Sequence, residues 1–289
     1  MTRVMQISDP HFGTAQPVVM EALVRMAREQ QPDVLVLSGD ITQRARNAQF
    51  TQARAFCDCL AIPQMLSLPG NHDIPLFNLY QRFFTPYARY LRAFGPELER
   101  SLSTPALNII GVNTTRRWRH TNGEVSGAQV ERVVVELGRS DPAQLRIVVV
   151  HQPVHVLRAK DEHDRLRGWE PAVRAWARAG ADIVMGGHIH LPYVCDLSSR
   201  LAGLGRRLWC VQAGTALSTR VREGIPNSVN LLRYEGVGQP VPCVLERWDY
   251  QTGTGQFKRV QSSALQLSDD SAKALPAMPD GVPRQGMKA

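Results

Sequence analysis

Seven side chains stand out because each can bind a metal ion and each lies in or beside a turn that follows a short apolar run: Asp9, His11, Asp40, Asn71, His151, His188 and His190. All seven offer oxygen or imidazole nitrogen, and none is a thiolate. That mixture suits Mn²⁺, Fe or Zn²⁺ in a two-metal site better than Ca²⁺, which prefers oxygen alone. Five of the eight histidines in the chain, His11, His72, His151, His188 and His190, fall in these turns, a concentration that chance would not produce. Singly, plainer roles exist. Asp9 or Asp40 could cap a helix that follows a strand, and His188 and His190 could sit in a turn without metal. Taken together, the plainer roles require seven coincidences.

The elements that must position these residues are legible as alternating runs. Val4-Met5-Gln6-Ile7 precedes Ser8-Asp9-Pro10-His11, Val34-Leu35-Val36-Leu37 precedes Ser38-Gly39-Asp40, and Gln64-Met65-Leu66-Ser67-Leu68 precedes Pro69-Gly70-Asn71-His72-Asp73. Ile147-Val148-Val149-Val150 precedes His151, and Ile183-Val184-Met185 precedes Gly186-Gly187-His188-Ile189-His190. Such runs ending in turn formers are signals of buried strands. Residues 18–30 and 47–60 are amphipathic at helical spacing, so the first three strands read as βαβ units of a parallel sheet. Residues 80–94, 129–137 and 171–179 read as helices and 106–113 as a strand; beyond His190 the pattern turns strand-rich, at 208–212, 230–234, 243–250 and 256–260, with a hairpin at 250–256. Two packed sheets with helices outside is the economical α/β architecture. In open α/β sheets ligands bind beyond the carboxyl ends of the strands, which is where the seven donors fall.

These motifs, Asp9-Pro10-His11, Gly39-Asp40, Gly70-Asn71-His72-Asp73, His151 and Gly187-His188-Ile189-His190, resemble those of the calcineurin-like metallophosphoesterase superfamily, in the same order. The likeness covers residues 1 to about 260. It implies a four-layer αββα sandwich of two mixed sheets flanked by helices. It also implies a site: Asp9, His11 and His190 on a first metal, Asn71, His151 and His188 on a second, and Asp40 bridging both. The implied cofactors are two divalent or trivalent ions, Mn²⁺, Fe²⁺/Fe³⁺ or Zn²⁺, sharing a hydroxide that attacks phosphorus. His72 would bind a phosphoryl oxygen or protonate the leaving alkoxide. Asp73 would orient His72 or simply shape the turn. Two departures are visible: Pro10 is expected to hold Asp9 extended, and Gln152, where many relatives carry a second histidine, should alter only the surroundings of His151.

Within the superfamily, Asp9-Pro10-His11-Phe12-Gly13 and Asn71-His72-Asp73-Ile74-Pro75 resemble the class III cyclic nucleotide phosphodiesterases and glycerophosphodiesterases. The bacterial UDP-diacylglucosamine hydrolases typically carry Arg where His72 stands, which counts against that chemistry. The segments 116–120 and 158–167 are long and charged enough to overhang the site, as substrate clamps or as solvated loops. Gly214-Thr215-Ala216 could form a wall. His120, His155 and His163 match no ligand position and read as surface or packing residues.

Composition narrows the classes. The 289 residues are 43% hydrophobic and 21% charged, which excludes a disordered chain. No run approaches the ~20 apolar residues of a membrane span, and residues 1–11 carry no cleavage signal, so the chain reads as cytoplasmic. Five scattered cysteines, an odd number, argue against a disulfide framework, and Cys57-Asp58-Cys59 reads as small buried apolar side chains. The net charge of +8 attracts anions, leaving phosphorylated small molecules, nucleic acid and lipid headgroups open. A phosphorylated small molecule is favoured over nucleic acid because no extended basic tract is present. An inactive interaction scaffold would have lost ligands or His72, and none is lost. Residues 1–261 form the expected domain and 262–289, rich in Ser, Asp, Pro and Gly, a flexible tail.

Overall fold

Strands covered on both faces read as short apolar runs with no polar alternation, and the chain arranges its runs so. In the computed structural model, residues 1–236 and 243–268 are described. Twelve strands run β1 (Thr2–Ile7), β2 (Val34–Ser38), β3 (Gln64–Leu68), β4 (Ser101–Ser103), β5 (Leu107–Gly111), β6 (Leu145–Val149), β7 (Ile183–Gly186), β8 (Tyr193–Asp196), β9 (Trp209–Gln212), β10 (Ser228–Tyr234), β11 (Cys243–Gln251) and β12 (Gln256–Ala264). Six α-helices accompany them: α1 (Pro17–Gln30), α2 (Asn47–Leu60), α3 (Leu79–Phe84), α4 (Ala88–Phe94), α5 (Gly127–Gly138) and α6 (Trp169–Arg178).

The strands form two six-stranded sheets, ordered β12-β11-β10-β1-β2-β3 and β4-β5-β6-β7-β9-β8. Both are mixed. β1, β2 and β3 are mutually parallel, as are β5, β6, β7 and β9, while the remaining pairings are antiparallel. The two-residue period of a strand sorts side chains between layers. In β6, Leu145, Ile147 and Val149 join Val36 and Leu66 in the core between the sheets. Val148 points the other way, to α5 and α6, with Val173 and Trp176. Likewise Met5 and Ile7 of β1 face outward to Leu23 of α1 and Phe50 of α2, whereas Val4 faces inward. The result is the four-layer αββα sandwich.

Buried polar groups bind the two sheets at the edge where the parallel strands end. Gln6 Nε2 of the first sheet donates to Ser38 Oγ at 3.1 Å and across to the Gly186 carbonyl of the second at 3.0 Å. His151 Nδ1 meets the Ser38 carbonyl at 2.9 Å. Gly39, at φ +98°, lies so close that a Cβ there would strike the His151 ring.

Some elements differ from the sequence reading. Residues 80–94 form two helices, not one, because Pro86 lacks an N–H and disfavours helical geometry at Thr85, whose φ is −140°. β4 and β8 are edge strands of three and four residues, too short to announce themselves. The hairpin at 250–256 is present, with Gln251 paired to Gln256. The expected tail boundary at 262 falls within β12; Leu265 is buried and Ser268 Oγ accepts from Arg207 N at 2.9 Å, so the folded unit reaches at least Ser268. The rest of that tail, 269–289, lies outside the described residues. Cys57 is buried as expected, but Cys59 is exposed. No helix among the described residues is long and apolar enough to cross a membrane.

Because Gly39 combines a left-handed backbone with contact against His151, Gly39→Ala should destabilise the fold by roughly 1–3 kcal/mol, read as a lower urea midpoint. An unchanged midpoint would show that the two sheet edges do not depend on this close approach.

Candidate metal centre

The turns that carry the seven candidate ligands share an unusual backbone. Among the described residues nine non-glycine positions have positive φ, and five of them are Asp9 (51°), His11 (44°), Asp40 (48°), His188 (73°) and His190 (55°). Left-handed geometry opposes the steric preference of any side chain with a Cβ, at about 1–3 kcal/mol each, and persists only where surroundings enforce it. Backbone hydrogen bonds enforce it here: Asp9 N to Gly39 O at 3.0 Å, His11 N to Asp40 O at 3.1 Å and Gly187 N to His151 O at 2.9 Å. Asp9 is therefore not extended, as Pro10 suggested; these contacts override the local preference.

All seven expected ligands converge. Asp40 presents Oδ2 to His11 Nε2 at 3.8 Å and Oδ1 to His151 Nε2 at 3.3 Å, so its two oxygens face different recesses. In the first recess His11 Nε2 stands 3.1 Å from His190 Nε2, and Asp9 Oδ1 lies 3.4 Å from the latter. In the second, His151 Nε2 lies 3.3 Å from Asn71 Oδ1, and His188 shares a cluster with Asp40 and His151. Asp9, His11, Asp40, Asn71 and His151 are all buried.

Proton bookkeeping shows that these groups suit cations. A carbonyl oxygen can only accept, so the contacts of His151 Nδ1 with Ser38 O and of His190 Nδ1 with Arg220 O (2.7 Å) put hydrogens on both Nδ1 atoms. When these rings are neutral, their Nε2 lone pairs point into the recesses. Asp9 Oδ2 accepts from Ser8 Oγ at 2.6 Å and from His188 N at 2.9 Å, whereas Asp9 Oδ1 has no hydrogen-bond partner among the described residues; the same holds for the buried Nδ1 atoms of His11 and His188. Buried acceptors left facing one another need a proton or a metal between them.

Electrostatics agrees. Burial drives His11 down to about 3 despite the pull of Asp40 and Asp9, so it is neutral and free to ligate. Burial opposes ionisation of Asp9, yet His190 and His151 bring it down to about 2. Burial also opposes ionisation of Asp40, but His151 and His72 hold it well below the ordinary carboxylate range. Burial disfavours charge on His151, and the Asp40 carboxylate outweighs it, pushing the imidazole up to about 9. The field that holds a proton there would hold a divalent ion more strongly.

His72 sits beside the first recess, its ring centroid 4.8 Å from that of His11. Its Nδ1 donates to Gln43 O at 3.0 Å, which leaves Nε2 facing Arg220 Nη1 at 3.2 Å and Asp40 Oδ2 at 3.9 Å. Asp73 does not orient it. Both Asp73 oxygens are taken by Ile41 N, Thr42 N, Thr42 Oγ1 and Gly70 N at 2.8–3.0 Å, so of its two expected roles the carboxylate performs the structural one. Gln152 acts behind the ligand, accepting from Thr114 Oγ1 and donating to Thr121 O, while Thr114 Oγ1 also contacts His151 N.

A cleft of about 740 Å³ opens over the recesses. Its wall includes Lys160, Asp161, His163 and Asp164, so the 158–167 segment does overhang the site. The 116–120 segment does not line it. Arg116 is tied to Asn113 O, Thr115 O and Gln129, and Arg119 to Glu124, while His120 borders a smaller pocket beside His72. His155 does not line the cleft. Thr215 Oγ1 donates to Asp9 O at 2.6 Å, so the Gly214-Thr215-Ala216 turn supports a ligand strand.

Two residues escaped the sequence reading. Arg220 follows β9 by a loop and carries no motif; only its place beyond another parallel strand end could have flagged it. Asp164 lies 3.5 Å from His188 Nε2, which leaves the Nδ1 of His188, unpartnered among the described residues, as the atom it could offer a metal. A carboxylate behind a ligating imidazole sets its tautomer and orientation. Asp164→Asn should therefore weaken Mn²⁺ binding by roughly 10–100-fold in isothermal titration calorimetry, and Asp40→Ala should abolish binding of both ions. Wild-type affinity in either variant would remove the assigned role.

The comparisons with known proteins come to the same place. The model of the calcineurin-like phosphoesterase family matches residues 2–192. Among solved structures, the purple acid phosphatase PPD1 of yellow lupin (Lupinus luteus) seeds superposes with a TM-score of 0.68 at 16% identity, over 96% of this chain and 57% of that one. This chain thus spans little more than half of the lupin enzyme. A dimetal phosphatase from Danio rerio gives a TM-score of 0.64 at 14% identity, over 92% of this chain and 99% of that one. No curated protein gives a significant match. At such identities the structures testify to the fold, and the family model, spanning 191 of 289 residues, testifies to descent. The chain belongs to the calcineurin-like phosphoesterase family, with the binuclear metal centre that this membership implies.

Proposed function

We propose that this protein is a metal-dependent phosphodiesterase acting on a small molecule of the cyclic nucleotide or glycerophosphodiester type. The observation that carries the reading is the pair of recesses sharing Asp40, with His72 Nε2 and the Arg220 guanidinium beside them. Asp9, His11 and His190 would hold one ion, Asn71, His151 and His188 the other, and Asp40 both. When bound, the two ions supply Lewis acidity and a water acidified enough to serve as nucleophile.

The chain's own groups account for the rest. Arg220 Nη1 is held by Gln43 Oε1 and His72 at 3.2 Å each, and its other N–H groups, which meet no partner among the described residues, can bind phosphoryl oxygens. With Nδ1 anchored on Gln43, His72 exchanges a proton or hydrogen bond with the ester only at Nε2, the position for assisting a departing oxygen.

Charge around the cleft favours a diester over a monoester. Arg222 is paired with Asp161 at 2.5 Å and with Glu223, and Lys160 with Glu223, while Asp164 adds a carboxylate. Among the described residues Arg220 forms no ion pair. With Asp161 and Glu223 neutralised in these pairs, Arg220 is the uncompensated cation of the cleft wall, and a single guanidinium suits the single negative charge of a phosphodiester better than the double charge of a monoester.

Bis(p-nitrophenyl) phosphate assayed with added Mn²⁺ tests the reading. Turnover is expected to exceed that of p-nitrophenyl phosphate. His72→Ala should retain both ions yet lose roughly 10²–10⁴ in kcat, and Arg220→Ala should raise KM. Absence of turnover by metal-loaded protein would overturn the assignment, and preference for the monoester would overturn its diester part.

A further inference from the structure

One surface inverts the usual sorting of side chains. Helix α3 buries Arg82 and turns Leu79, Tyr80, Phe83 and Phe84 to solvent. With Phe77 and Trp118 they make six large apolar residues, each between 45% and 80% exposed. Exposed apolar residues scattered singly need no explanation, but a cluster does. This one is held together by short contacts. The rings of Tyr80 and Phe84 lie 4.9 Å apart, the Arg44 guanidinium sits 5.7 Å from the Phe77 ring and that of Arg117 5.9 Å from the Trp118 ring, and Arg117 Nη1 donates to Phe83 O at 2.7 Å.

The surroundings are predominantly basic. No Asp or Glu occurs between Asp40 and Asp58, between Asp73 and Glu97, or between Glu99 and Glu124, while these three stretches hold ten arginines; Arg54, Arg100 and Arg119 pair with Asp58, Glu97 and Glu124 at the ends of the stretches, and the other seven form no ion pair among the described residues. Hydrogen bonds join the stretches into one surface: Arg89 Nη1 to Ala45 O at 2.7 Å links the first to the second, and Arg82 Nη2 to Arg119 O at 2.6 Å links the second to the third. The buried Arg82, which also reaches Pro75 O, is thus the strut that fixes α3 with its apolar side outward. The patch adjoins the metal centre, since Arg44 and Leu76 share a small pocket with His72.

We propose that this face docks on an anionic phospholipid surface, its aromatic side chains entering the headgroup layer and its arginines meeting lipid phosphates. Aromatic residues settle at the membrane–water boundary because they have an apolar body and tolerate a polar edge, and basic residues beside them draw the protein to anionic lipid. Charge complementarity commits the occupant: a second copy of the chain would set arginine against arginine. A single-stranded nucleic acid fits less well. Leu79 has no stacking face, and Phe77, Trp118, Tyr80 and Phe84 each already cover one ring face within the patch. Docking is independent of the hydrolytic reading, and its test reads binding alone.

Co-sedimentation of the full chain with vesicles of phosphatidylcholine, with and without phosphatidylglycerol, provides that test. Binding is expected to the mixed vesicles, to fall off steeply with added salt, and to be absent with phosphatidylcholine alone. Phe77→Ser with Phe84→Ser should abolish it, and Arg117→Gln should weaken it roughly fivefold, while hydrolysis of a soluble ester is unchanged. Circular dichroism melting of each variant checks that the fold is retained; because these side chains are exposed, wild-type melting is expected. Equal binding to both vesicles, wild-type binding by the double serine variant, or a patch that instead governs oligonucleotide affinity or self-association in sedimentation velocity would overturn the proposal.

Discussion

Two carboxylates and a set of imidazoles are buried at the meeting edge of two sheets, and their unpaired lone pairs face inward. That arrangement is unfavourable unless positive charge stands among them, because buried acceptors cannot satisfy one another. Asp40 is its pivot. One oxygen faces the His11 recess, the other the His151 recess, and a backbone N–H from His72 fixes the carboxylate at 2.8 Å. Around it the backbone is strained at five of the seven candidate ligand positions, and interstrand hydrogen bonds sustain the strain. The fold supplies the restraint, and the site concentrates both the strain and the buried charge.

Rigidity comes from the sandwich beneath. Parallel strands from both sheets end at the same edge, and buried polar links such as Gln6 to Gly186 hold those ends in register across the layers. Gly187 illustrates the tolerance: a Cβ there would run into Ser8 and Asp9, so two ligand turns from different sheets approach as closely as main chains allow. By contrast the outer wall of the cleft is tied by ion pairs between residues 158–161 and 222–223, which are partly exposed and contribute little individually. The inner site is set by packing, the outer wall by weaker and more variable contacts.

What the sequence revealed follows this division. Strand ends, the donor side chains gathered beyond them and the layer order are legible because burial on both faces leaves continuous apolar runs and because turn residues punctuate them. His11, His188 and His190 could be named from their motifs, and the structure gathers them. What depended on distant contacts was not legible. Nothing near Asp9 indicates a left-handed backbone, since Gly39 enforces it from another strand. Asp73 looked like a partner for His72, yet its neighbours in space are the amides of residues 41 and 42. Arg220 and Asp164 belong to loops whose position is decided by tertiary packing, and α3 was hidden by a proline that divides an otherwise continuous helical pattern.

The central claim is that Asp40 stands between two cation sites. Crystals soaked in Mn²⁺ and measured for anomalous scattering address it most directly. Two peaks are predicted, one beside Asp9, His11 and His190 and one beside Asn71, His151 and His188, with the Asp40 carboxylate between them. A single peak, or peaks remote from Asp40, would contradict the account.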